Sequence, residues 1–110
     1  MEEASHDEVL SLSTQSEDDR VVVALAGELD LHEAKRLSAA MSEVFTGPVT
    51  AIEVDARKLT FIDSAGIRAV LVARAEAERL GVAFRLWGVS TAVRRIMKIA
   101  GVDDLMSGGD

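Results

Sequence analysis

The sequence predicts an α/β fold: a single domain on a mixed sheet of about four strands, in the order β-β-α-β-α-β-α, with the helices mainly on one face. Three observations predict it. Short apolar or alternating runs recur at Val9 to Gln15, Val21 to Leu25, Val49 to Asp55 and Val82 to Trp87. After the second, third and fourth runs come segments whose apolar residues repeat at helical spacing, closed by Gly47-Pro48, Gly81 and Gly101. Glu53 and Arg85 interrupt strands that would be apolar throughout if both faces were covered, which puts the helices on one face.

Val9 to Gln15 sets Leu10 and Leu12 against Ser11 and Ser13, the period-two pattern of a half-buried strand. The polar turn Glu17-Asp18-Asp19 joins it to Val21 to Leu25, so the two strands form an antiparallel hairpin. Asp30, with Glu33 three residues on, opens the first helix in the manner of a capping box. Ala34, Leu37, Met41, Val44 and Phe45 make its apolar face. The second helix runs from about Ser64 to Leu80, burying Ile67, Val70, Ala73, Ala77 and Leu80, with Gly81 as its stop. Ser90 caps a third helix that buries Val93, Ile96, Met97 and Ala100. Crossover helices make the later strands parallel.

Composition narrows the function. With 110 residues, 48% of them hydrophobic, the chain supports one core. The expected division is a mobile acidic arm over residues 1–8, the domain over 9–106, where Leu105 and Met106 dock a last turn, and a flexible tail over 107–110. There is no cysteine, which excludes a disulfide, a thiolate metal site and a thiol nucleophile. A net charge of -7 opposes direct nucleic-acid binding. No apolar run approaches the roughly 20 residues of a membrane span, so no membrane insertion is expected. The first residues, MEEASHDE, lack the basic and apolar regions of a signal peptide, and the expected location is the cytoplasm. There is no P-loop, and His6 and His32 lack companion ligands; neither a cofactor nor a metal is expected.

The stretch LTFIDSAGIRAVL, Leu59 to Leu71, organises the chain. It reads as a polar loop feeding a helix, with the Ser64 hydroxyl at the helix N-terminus, where free N–H groups and the helix dipole favour an anion. Two readings stay open: Ser64 caps the helix, or it carries a phosphate. Asp30 and Asp63, each ending a strand-to-helix loop on the same edge of the sheet, either cap helices or orient that hydroxyl. Gly66 either admits a partner's backbone or relieves crowding in the first turn. Leu31, Ile62 and Ala65 offer apolar contact beside the site or rim the core. Arg68, Arg94 and Arg95 read as solvated helix faces rather than a phosphate cage.

Gly27-Glu28-Leu29-Asp30, the D-S-x-G motif within Leu59 to Ile67, and STAVRRIMKIAGVDDL from Ser90 to Leu105 together resemble the STAS domain family, and within it the anti-sigma factor antagonists. The likeness spans Val9 to Leu105; D-S-x-G alone is weak, and its position between the other two segments makes it specific. Thr91 stands where relatives often have Pro, and Glu53 where they often have an apolar residue. The resemblance implies a STAS-like fold and a binding protein that is not an enzyme. Its partners would be an anti-sigma factor with serine kinase activity, captured while Ser64 is unphosphorylated and released when it is phosphorylated, and a serine phosphatase that resets the switch. Asp30, Asp63, Thr60 and Gly66 are then the neighbours of the switch, and Leu31, His32, Ile62, Ala65, Arg68 and Ser90 the expected partner contacts.

Two other classes fit parts of the sequence. Asp30, Asp55 and Asp63 with Lys58 could make a receiver-like magnesium pocket with an Asp phosphoacceptor, although the alternating strands oppose a doubly wound sheet. STAS domains also serve as subunits of lipid-transport and stress-signalling assemblies.

Overall fold

The computed structural model describes residues 9–102 and 104. The elements run β1 (Leu10–Glu17), β2 (Arg20–Leu29), α1 (Leu31–Phe45), β3 (Ala51–Ile62), α2 (Ser64–Leu80), β4 (Ala83–Trp87) and α3 (Thr91–Ile99), the expected order. The sheet order is β1-β2-β3-β4, with β1 antiparallel to β2 and the other pairs parallel. The hairpin turns through Asp18 at φ 59°, a left-handed conformation that Asp tolerates. The arm at 1–8, the turn expected at Leu105 and Met106 and the tail at 107–110 lie outside the described residues. No helix among the described residues is long and apolar enough to cross a membrane.

Alternation along each strand fixes the layers. Val21, Val23, Leu25, Ile52, Val54 and Leu86 are buried beneath the helices in a cluster with Leu37, Met41, Val70, Val93 and Met97. The residues between them, Val22, Ala24, Glu53, Asp55 and Trp87, are only half-buried on the sheet's other face. The molecule measures 37 × 37 × 19 Å, and the short dimension fits one helix layer on one sheet. On the open face Arg85 pairs with Glu53 at 2.8 Å and Arg57 with Asp55 at 2.8 Å. The Arg57 and Arg85 guanidinium groups lie 4.6 and 5.4 Å from the Trp87 ring centroid. Thus the departure at Glu53 has a local partner.

β3 differs most from expectation: it continues past Asp55 to Ile62. Its pairing with β2 slips twice, between Ala24/Ala26 and Gly27/Glu28, and each slip inserts one extra β3 residue. Inward positions therefore fall at Ala56, Leu59 and Ile62, three apart, and period two vanishes while the strand persists. β2 likewise runs on to Leu29, through Gly27 at φ 107°, where a Cβ would sit 2.2 Å from the Val9 carbonyl oxygen. The polar loop expected between Leu59 and the helix shrinks to Asp63 alone.

α2 buries Gly66, Ile67, Ala69, Val70, Ala73 and Ala77. Gly81 at φ 74° ends it, and Val82 N–H donates to the Ala77 carbonyl at 2.8 Å. Gly101 ends α3 in the same way, with Val102 N–H on the Met97 carbonyl at 2.9 Å. Two residues expected in the core are exposed: Leu80, in the last turn of α2, and Ala100, already past α3. The capping box at α1 is half formed. Asp30 accepts from Glu33 N–H, but the buried Glu33 carboxylate turns to Arg36 at 2.6 Å, and Arg36 also donates to the Leu10 carbonyl at 2.9 Å. That chain of bonds ties α1 to β1.

Gly66, in the first turn of α2, packs against Leu29 and Ile62. A Cβ there would lie 2.4 Å from the Leu29 carbonyl oxygen and 2.8 Å from Ile62 Cγ1. Gly66→Ala is expected to destabilise the fold by about 2 kcal/mol in urea unfolding despite better helix propensity. Gly47→Ala, whose Cβ would meet only the Val44 carbonyl at 3.7 Å, should change stability by less than about 0.5 kcal/mol. Hydrogen bonds from Arg57 hold the Asp55 carboxyl below its ordinary value. This contribution to stability is present above the unfolded-state pKa and is lost as pH falls through the lowered folded value. In Arg57→Gln, carboxyl NMR titration should find Asp55 moved up toward its ordinary value.

Candidate functional site

β2 and β3 are parallel neighbours, and Leu29 pairs with Ile62, so both strands end level at one sheet edge. Each ends in the same device: an inward aliphatic, an aspartate in extended conformation, then a helix. Asp30 caps α1 by accepting from Glu33 N–H at 3.0 Å. Asp63 caps α2 by accepting from Gly66 N–H at 2.9 Å. Asp63 does more: its second oxygen accepts the Leu31 N–H at 3.0 Å, so one carboxylate joins the N-termini of both helices. The Asp63 N–H donates to the Leu29 carbonyl at 3.2 Å, fixing the turn from behind.

Asp63, not Ser64, is the N-cap of α2, which leaves the Ser64 side chain exposed at the first helical position. Asp30 and Asp63 accept backbone hydrogen bonds. Leu31, which donates to Asp63 next to Ser64, is exposed, as is His32 after it at the start of α1; Ala65 is half-buried and Arg68 is exposed one turn along α2. Thr60 is exposed on β3 and donates its hydroxyl to the Gly27 carbonyl at 3.0 Å, across the second register slip.

Other expected residues stand elsewhere. Ile62 is 1% exposed and belongs to the core, since the register slips turn it inward; it is no surface for a partner. Gly66 is buried against Leu29 and cannot admit a partner's backbone. Ser90 caps α3, accepting from Val93 N–H at 3.2 Å, and follows a strand whose last residue pairs with Asp55, well upstream of Ile62. Arg95 is exposed, whereas Arg94 is half-buried. Asp55 sits on the open sheet face, held by Arg57, so the three aspartates of the receiver-like reading are not brought together. Among the described residues no cluster of three His, Cys, Asp or Glu could hold a metal ion.

Sequence reasoning missed Lys35 and Val72, which flank the site between α1 and α2. Val72 lies off the helical face marked by Ile67, Val70, Ala73 and Ala77, an exposed aliphatic that core burial does not explain.

The dual cap gives a stability ordering. Asp63→Ala frees two N–H groups and is expected to cost about 2 kcal/mol in urea unfolding, while Asp30→Ala frees one and should cost about 1 kcal/mol. Equal losses would contradict the bridging role.

The family described as "Mlab, STAS domain" matches residues 12–107. The anti-sigma F factor antagonist of Lysinibacillus sphaericus is 33% identical over 87 residues, 78% of this chain and 74% of that protein. The anti-sigma factor antagonist SpoIIAA in its unphosphorylated form is 31% identical, with a TM-score of 0.77 over 87% of this chain and 85% of that one. The phosphorylated form of SpoIIAA, a Bacillus cell fate determinant, is 30% identical, with a TM-score of 0.70 over 87% and 88%. With its double strand-aspartate-helix edge and these relatives, the chain belongs to the STAS-domain family of anti-sigma factor antagonists.

Proposed function

We propose that this protein is a cytoplasmic anti-sigma factor antagonist that works by partner switching. Unphosphorylated, it binds an anti-sigma factor that is also a serine kinase and so frees the sigma factor; phosphorylated on Ser64, it lets go, and a serine phosphatase restores it. The observation that carries this reading is the exposed Ser64 hydroxyl at the first position of α2, with the capping task already taken by Asp63. SpoIIAA, known in both unphosphorylated and phosphorylated forms, supports it from outside.

The charge arithmetic favours a local switch. A phosphate adds about -1.5 to -2 charges and three acceptor oxygens. An acidic group of the partner about 6 Å away then meets roughly 3 kcal/mol of repulsion per added charge at an effective dielectric near 20. That exceeds a hundredfold in affinity. Asp30 and Asp63 are already tied to backbone N–H groups, so the fold stays intact and the new charge acts at the surface. In this scheme Ser64 is a substrate hydroxyl, and its chemistry is supplied by the kinase.

Ser64→Ala is expected to bind the anti-sigma kinase constitutively, and Ser64→Glu to bind at least tenfold more weakly by calorimetry. Equal binding by the two variants would sink the reading. Intact-mass analysis after incubation with the kinase and ATP should add one phosphate, mapped to Ser64. Labelling of an aspartate by acyl phosphate and magnesium, or recovery of a membrane ATPase in place of a serine kinase, would assign the fold to another task.

A further inference from the structure

An apolar groove runs between α1 and α2 and opens beside Ser64. Its near part, about 370 Å³, is lined by Leu31, Ala34, Lys35, Ala65, Arg68 and Val72 among others. Ser38, Ala69 and Val72 are shared with a second part of about 460 Å³, which continues past Met41 and Phe45 to Leu80. Three large aliphatic side chains stand exposed along it: Leu31 at 64%, Val72 at 56% and Leu80 at 44%. A contiguous exposed apolar strip of this kind marks a contact surface.

The groove's charge differs from that of the molecule. The chain carries a net charge of -7, yet the near part is lined by two cations, Lys35 and Arg68, and no acid. Neither cation has an ion-pair partner among the described residues. In the far part Glu76 and Arg79 neutralise each other at 2.6 Å. Two packed helices offer ridges between which a third helix can lie, and α1, 15 residues long, gives a wall of about 22 Å, roughly four turns.

We infer that this groove docks an amphipathic helix of the partner, apolar toward Leu31, Val72 and Leu80 and acidic where it passes Lys35 and Arg68, and that a phosphate on Ser64 competes for Arg68. Ser64 and Arg68 are four residues apart on α2 and both exposed, so they share one helix face. A phosphate there can draw the Arg68 guanidinium to itself as well as repel the acidic flank of the incoming helix. The second part of this inference rests on the Ser64 reading given above.

Titration of the 15N-labelled protein with two designed amphipathic helical peptides, leucine-faced and flanked by glutamate or by lysine, tests it without the natural partner. The acidic peptide is expected to shift the amides of Leu31, Ala65, Ala69 and Val72, and the basic one to leave them unmoved. Val72→Glu should weaken the acidic peptide by about tenfold or more. Arg68→Glu should weaken it by about fivefold and gain the basic peptide. Ser64→Glu should weaken it by about threefold or more, an effect reduced in an Arg68→Ala background. Equal binding of both peptides, shifts outside the groove, or a concentration-dependent dimer that Val72→Glu dissolves would overturn the inference. Capture of the kinase by Val72→Glu as strong as by the unaltered protein would remove the groove and leave the Ser64 switch standing. Absence of Ser64 phosphorylation, with the acidic peptide still docking, would remove the switch and leave the groove.

Discussion

One carboxylate holds the functional edge of this molecule together. Asp63 accepts an N–H from α2 and another from α1, so two helix N-termini, each the positive end of a dipole, converge on a single negative group. Such an arrangement is possible only because β2 and β3 are adjacent, parallel and level at Leu29 and Ile62. An antiparallel pair would send the helix starts to opposite ends of the sheet. Gly66 adds the matching steric condition, since the first turn of α2 rests on the Leu29 carbonyl, which itself receives the Asp63 N–H. Register, cap and glycine are thus parts of one constraint.

That constraint explains what was legible in the sequence. The helices were readable because caps, stops and 3.6-residue periodicity are local: Asp30, Ser90, Gly81 and Gly101 act where the sequence places them. The first part of each strand was readable for the same reason. The far half of β3 was not, because its two register slips depend on how β2 lies beside it. A strand whose inward residues fall at Ala56, Leu59 and Ile62 has no period of two to detect. Misplacing its end also misplaced Ile62, which a loop would expose and the bulged strand buries.

The site was legible in kind and not in connectivity. Ser64, Asp30 and Asp63 could be grouped from their spacing, but not the bond from Leu31 N–H to Asp63, which joins residues 32 apart. Nor could spacing tell that Glu33 would leave the capping box for Arg36 once buried. The open sheet face shows the same limit: Glu53 looks like a defect in an apolar strand until Arg85, opposite it on β4, supplies the pair. These are contacts made by topology, and topology is what a single sequence specifies least directly.

The same cap explains why a charge at Ser64 should act outward. If Ser64 itself capped α2, a phosphate would remove the hydroxyl's bond to the helix and loosen the first turn, and the modification would be felt as partial unfolding. With Asp63 in that role, the helix start is satisfied without the Ser64 hydroxyl. Under the proposed switch, the added charge would meet carboxylates already committed to backbone donors, with Arg68 the nearest cation along the helix. On that proposal, a helix start that is already hydrogen-bonded leaves the cost of the charge to whatever occupies the groove mouth between Leu31 and Arg68. A satisfied cap and a Ser64 side chain left free at the surface are therefore two consequences of one hydrogen-bonded aspartate.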